Sequence, residues 1–340
     1  MDFKFDGSKY EYGSRRRVIY AKNGMVCTGQ PLAAQAGLRM LLQGGNAIDA
    51  AIATAITLTV VEPTANGLGS DAFALVWVKD KLYGLNGSGP APAKLSAENL
   101  AARGITGAIP PRGWQSVTVP GAPSAWAELH KRFGKLPFAK LFEPAIEYAE
   151  NGFPVSPICA RFWAEGKEIF DQFKDKPEFA GWFETFLQDG KPPVVGEVFK
   201  MPGHAKTLRM LADSYCESYY RGEVAEAIAD FSAKTNGFIA KEDLAAYKAE
   251  WVEPITIDYK GYNVWEIPPN GHGITALMAL NILKGLDCAE KECADTYFIQ
   301  TLDDLHLELP KSVSLVGITA GASTPNYIIE EVQNYVRINF

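Results

Sequence analysis

The sequence predicts an α+β fold in which helices are layered with antiparallel strand pairs, and three observations carry that prediction. The first is the run AIDAAIATAITLTVV at 47–61, apolar on nearly every side, which marks a helix packed between layers. The second is a pair of hairpin signals: DAFALVWV and KLYGLN joined by Lys79 and Asp80, and ITIDY and YNVWEIP joined by Lys260 and Gly261. The third is a helical block over 94–250, where AWAELHKRF, FAKLFEPAIEYAENG, AKTLRMLADSY and EVAEAIADFSAK place apolar residues at helical spacing.

Each element has a local cause. After a polar arm at 1–17, residues 18–20 and 25–27 read as short strands. Pro31 opens a helix, LAAQAGLRMLLQ, which Gly44 and Gly45 stop; proline at the start and glycine past the end is the usual asymmetry. Asn46 then caps the 47–61 helix, with Asp49 in its first turn facing the positive dipole end. PTANGLGS at 63–70 and GSGPAPA at 87–93 are turn-rich loops. The second hairpin runs into PPNGHG and a last apolar helix, ITALMALNILKG. There is no internal repeat.

Composition narrows the function classes. The 340 residues are 47% apolar and 21% charged, enough for a packed core in one large domain or two ordinary ones. The net charge of -7 argues against nucleic acid or an anionic membrane as partner. Arg15, Arg16 and Arg17 form a short solvated arm. The segment MDFKFDGSKYEYGSRRR has no apolar core of the signal-peptide kind, and 47–61 falls short of the ~20 residues a bilayer needs. The expected location is the cytoplasm. Five widely spaced cysteines (27, 159, 216, 288, 293) fit reduced thiols, and no metal site or cofactor is expected.

Longer segments carry a resemblance. They are 31–73 (PLAAQAGLRMLLQGGNAIDAAIATAITLTVVEPTANGLGSDAF), 112–156 (RGWQSVTVPGAPSAWAELHKRFGKLPFAKLFEPAIEYAENGFPVS), 219–228 (YYRGEVAEAI) and 243–273 (DLAAYKAEWVEPITIDYKGYNVWEIPPNGHG). Together they are similar to the gamma-glutamyltranspeptidase family of N-terminal-nucleophile hydrolases. That resemblance implies an incomplete αββα sandwich over 18–296, the large-subunit part, with the chemistry on a small subunit. In the family, self-cleavage frees a threonine whose hydroxyl attacks a gamma-glutamyl carbonyl, its own amine serving as base. The expected partners are a gamma-glutamyl or other acyl-amide small molecule and a separate small subunit. Self-association through uncovered apolar surface is a further expectation.

Two departures qualify the activity. The family's nucleophile lies in a Thr-Thr-His context, and this sequence contains no Thr-Thr pair. Thr296, Thr301, Thr319 and Thr324 lack the matching flanks, so no catalytic residue is assigned and the chain is expected to be inactive by itself. The family also grips the substrate's alpha-carboxylate with an arginine before Ala-Pro-Ala, a planar fork suited to both oxygens. Here the loop reads LNGSGPAPAK, with Ser88 or Pro90 at that place and no arginine between Arg39 and Arg103. Asn86 and Ser88 are the candidate substrate-binding residues, and glutathione is a doubtful substrate.

From about residue 297 to 340 the pattern changes to FIQTLDDLHLELPKSVSLVGITAGASTPNYIIEEVQNYV. This tail resembles the C-terminal end of hydroxymethylbutenyl diphosphate reductase through VGITAGASTP at 316–325. A strand, a Gly-containing turn and a helix capped by Ser323 or Thr324 would place hydroxyl and backbone donors where a phosphate could sit, although an ordinary N-cap explains them as well. Other candidates read as structural: His272 between glycines, Asp303 and Asp304 on an exposed helix, His130 and Lys131 at a helix's polar end, and Gly67 and Gly69 without a phosphate-loop context. Three readings compete. The first is an inactive gamma-glutamyltransferase relative, the second a noncatalytic binding or scaffold protein, and the third a reductase remnant.

Overall fold

The computed structural model describes residues 19–284 and 326–339. They form two compact units, one of residues up to Thr256 together with Trp265–Ile274, the other of Ile257–Val264 and residues from Thr275 onward.

In chain order, α1 (Pro31–Leu42) and α2 (Ala47–Val61) lead into the hairpin β1 (Ala72–Val78) and β2 (Lys81–Gly87). The helical block comprises α3 (Ala97–Ala102), α4 (Ala122–Phe133), α5 (Glu143–Asn151), α6 (Pro157–Phe170), α7 (Ala180–Phe186), α8 (Pro202–Asp213), α9 (Glu217–Arg221), α10 (Glu223–Lys234) and α11 (Lys241–Ala246). Within it, the two-residue strands β3 (Phe153–Pro154) and β4 (Val198–Phe199) pair antiparallel. The chain continues through β5 (Glu250–Val252), β6 (Ile255–Tyr259), β7 (Tyr262–Glu266) and α12 (Gly273–Leu283). The last described element is α13 (Asn326–Asn339), the helix expected of the tail; the strand and turn expected before it lie outside the described residues.

In the first unit, the predicted start signals are present at α1 and α2. Pro31 occupies the first turn of α1, and the Gln30 side chain, not foreseen as a cap, accepts from Leu32 N and Ala33 N. The two helices meet closely at Gly37, where a Cβ would fall 2.3 Å from Thr54 Oγ1 and 2.9 Å from Ala50 O. Asn46 and Asp49 form a reciprocal capping box on α2. Asp49 does more than cap: fully buried, it also accepts from Lys135 N at 3.0 Å and Leu136 N at 3.2 Å, joining α2 to the loop after α4. The threonines of α2 return their hydroxyls to the helix's own carbonyls, Thr54 to Ala50 and Thr57 to Ala53, so an apolar helix tolerates them at its buried centre.

The sheet has the order β1-β2-β5, all antiparallel. Lys79 (φ 49°) and Asp80 (φ 60°) make the two-residue turn, both in the left-handed region that matches strand twist in such hairpins. The register puts Val76 opposite Tyr83 and Ala74 opposite Leu85 on the inner face, against α4. There the Arg132 guanidinium lies 4.3 Å from the ring centres of both Tyr83 and Trp251, clasping α4 to β2 and β5. The outer face carries Phe73, Leu75 and Trp77, which are 49%, 41% and 63% exposed, with Asn86 directly opposite Phe73.

Two sequence readings differ from the structure. Residues 25–27 have no ladder partner among the described residues, although exposure alternates along this extended stretch as it would in a strand. Residue 250, read as the end of the helical block, begins strand β5 instead. Among the residues of the second unit, the tip of the β6–β7 hairpin turns at Lys260 (φ 53°) and Gly261 (φ 83°), as predicted. No helix among the described residues is long and apolar enough to cross a membrane.

Candidate functional site

The loop leaving β2 is laid against 119–121 so closely that only glycine fits. A Cβ on Gly89 would lie 1.5 Å from Val119 O, and one on Gly121 would lie 1.8 Å from Gly87 O. Val119 N then donates to Pro90 O at 3.0 Å, and the Tyr247 hydroxyl donates to Ser88 O at 3.2 Å. At its far end the loop is tied by Asp243, whose carboxylate accepts from Ala93 N at 2.9 Å and Ala240 N at 2.8 Å. A segment rich in Gly and Pro is thus held in one conformation by backbone contacts and by groups from α11 and the residue after it.

On that support stands a ring of three neutral polar side chains. Asn86 Oδ1 accepts from Ser88 N at 2.9 Å and from Ser88 Oγ at 2.8 Å. Asn86 Nδ2 donates to Asn270 Oδ1 at 2.9 Å, and Asn270 Nδ2 donates to Ser88 Oγ at 2.8 Å. The two residues singled out by sequence are therefore joined, together with a third that sequence reasoning missed. Its signal is the PPNG tetrapeptide, an asparagine in a turn-rich segment. The ring lines a cavity of about 490 Å3 whose wall also includes Pro90, Tyr247, Lys248 and Glu250.

The electrostatics of this cleft are not those of a carboxylate grip. Among the described residues no arginine lines it. Arg103 is engaged elsewhere, donating to Asn236 O at 2.7 Å and lying 3.8 Å from the Phe238 ring centre. The Lys248 ammonium stands 3.5 Å from Glu128, a carboxylate it shares with Lys131. Glu250 sits across the strand pair from Asn86. Burial first, then the carboxylates of Asp71 and Glu250, push the Tyr247 phenol up to about 12, so it remains a neutral donor.

Among the described residues of the cleft, nothing activates a nucleophile. The partners of the Ser88 hydroxyl are amides, neither of which can take its proton. His272 is exposed in its turn. His130 serves packing: Nε2 donates to Leu136 O at 2.7 Å and Nδ1 meets the Tyr215 hydroxyl. His204 lies 3.4 Å from Thr59 Oγ1, and burial lowers its pKa to about 4. Among the described residues no cluster of His, Cys, Asp and Glu is arranged to hold a metal. Ser323 and Thr324 lie outside the described residues.

Known proteins place this geometry. The family model described as Gamma-glutamyltranspeptidase matches residues 33–308, and one described as LytB protein matches residues 281–337. The chain is 37% identical to the glutathione hydrolase-like YwrD proenzyme of Bacillus subtilis, over 79% of this chain and 50% of that one. It is 33% identical to the acylase ACY 1 proenzyme of a Pseudomonas strain, over 82% of this chain and 50% of that one. Among solved structures, cephalosporin acylase from Bacillus halodurans superposes with a TM-score of 0.80 at 57% identity, covering 85% of this chain and 54% of that one. The chain spans about half the length of the curated relatives it matches. With a solved relative at this identity, the α+β fold is that of the large-subunit part of an αββα sandwich. On the match over 33–308, this chain belongs to the gamma-glutamyltranspeptidase family.

Proposed function

We propose that these 340 residues form the large-subunit half of an amide hydrolase whose acyl group carries no alpha-carboxylate grip, and that they are catalytically silent without a small-subunit region. One observation carries the substrate reading: the place at which the family resemblance expects an arginine holds Ser88 or Pro90, and Ser88 is locked into a neutral ring with Asn86 and Asn270. A gamma-glutamyl group would meet hydrogen-bonding amides there and no guanidinium. Acyl groups that ask only for neutral donors and acceptors meet a complete set. The high identity to a cephalosporin acylase supports the same side of the family.

The partner reading rests on the sheet. Phe73, Leu75 and Trp77 form an apolar row on its outer face, and stacked sheets bury such rows against each other about 10 Å apart. A small-subunit region, whether on a separate chain or on a continuation of this one, would cover that row and bring its threonine beside the Asn86 ring. Self-association through the same face is expected when that region is absent.

Co-expression with the small-subunit segment of the Bacillus halodurans relative tests this. A stable one-to-one complex is expected, and Phe73→Asp/Trp77→Asp should abolish it. A chain that stays monomeric and ignores that segment would refute the proposal.

A further inference from the structure

The geometry points to Glu250 as a specificity-determining residue of the cleft, selecting acyl groups that end in an ammonium over those that end in a carboxylate. The inference rests on reading the Asn86 cleft as the acyl wall, and it adds the charge of the substrate.

Three observations lead there. First, the β2–β5 register pairs Asn86 with Glu250, and directly opposite residues on an antiparallel pair carry their side chains to the same face, ~5 Å apart at Cβ. Both residues line the same cavity. Second, the other described charges of the wall each have a partner. Asp243 spends both carboxylate oxygens on the backbone N–H groups of Ala93 and Ala240. Lys248, two residues before Glu250, is drawn towards Glu128 at 3.5 Å. Glu250 is exposed, so its carboxylate is the charge left to meet a ligand. Third, the Tyr247 phenol responds to this field: after burial, the carboxylates of Asp71 and Glu250 raise its pKa. With Asp243 and Glu250 against Lys248, the described charges of the cleft wall are net negative beside a ring of neutral donors and acceptors.

A ligand with an amide at one end and an ammonium at the other fits this arrangement. The amine would approach Glu250 while the chain runs past Asn86 and Ser88. An acyl group of the same length ending in a carboxylate would meet Glu250 as a like charge.

Binding to the full 340-residue chain tests this without catalysis, so failure here is distinguishable from failure of the proposed activity. The probes are 5-aminopentanamide, pentanamide and glutaramate, of matched length and charge +1, 0 and -1, titrated by ligand-observed NMR at low salt. An exposed ion pair gives at most about a five-fold preference. The expected order is therefore 5-aminopentanamide tighter than pentanamide by about three- to five-fold, with glutaramate weakest. Glu250→Gln should remove the preference for the amine, and Glu250→Lys should reverse it. Both substitutions fall on an exposed strand position, and an unchanged circular dichroism spectrum checks that the fold survives. Glutaramate binding as tightly as the amine, no measurable binding of the amine, or a preference unchanged in Glu250→Gln would each overturn the inference.

Discussion

Gly89→Ala is the sharpest structural test, because the contact it perturbs is backbone on backbone. A Cβ at this position would lie 1.5 Å from Val119 O, where comfortable non-bonded contact needs roughly 3.5 Å, so the two segments must part by about 2 Å. No flexible side chain can yield in their place. Overpacking of this kind costs about 1–3 kcal/mol. Separation would also break the bond from Val119 N to Pro90 O, a further ~1 kcal/mol. A loss of about 2–4 kcal/mol follows, read as a lower urea midpoint by circular dichroism. Gly107→Ala is the control, since nothing lies within 4 Å of its added methyl. A difference between the two variants below about 0.5 kcal/mol would refute the claim that this loop is held by close backbone approach.

Other expected outcomes follow from buried groups. Asp49→Ala leaves the N–H groups of Asn46, Lys135 and Leu136 without their acceptor and should lower stability by about 3–5 kcal/mol, measured by urea unfolding. Neutral-pH maleimide labelling followed by mass spectrometry should modify exposed Cys27 in the native chain. Cys159 and Cys216, whose thiols burial pushes up, should react only after unfolding. His204 has a folded pKa near 4, below its unfolded value near 6.5. The native state therefore binds its proton later than the unfolded state, and its contribution is complete above 6.5 and lost as pH falls towards 4. Stability of the wild-type chain minus that of His204→Gln should shrink by up to about 3 kcal/mol across that window. A constant difference would mean that His204 takes up its proton in the fold at the same pH as in the unfolded chain.

How much of this was legible in the sequence depends on whether the cause is local. The Asn46–Asp49 cap, the Pro31 start and both two-residue turns are written in adjacent residues, and each is present where expected. Strand β5 was not legible. EWV is three residues long, follows a helix closely, and becomes a strand only because β2, some 160 positions earlier, offers it an edge. The same non-local step hid Asn270, which reaches Asn86 across 184 positions of sequence. Residues 25–27 failed in the opposite sense: their alternation is real, but a strand also needs a partner. The domain boundary read near residue 297 and the tail's Ser323 and Thr324 lie outside the described residues.

The most direct measurement of the central claim is amide hydrolysis by this chain alone and by its mixture with a family small-subunit segment bearing the free N-terminal threonine. The substrates are a gamma-glutamyl anilide and an acyl anilide lacking the alpha-carboxylate. No turnover and an intact 340-residue mass are expected for the chain alone, with hydrolysis appearing only in the mixture and favouring the acyl anilide. Turnover by the chain alone, or its conversion at neutral pH into two defined fragments, would contradict it.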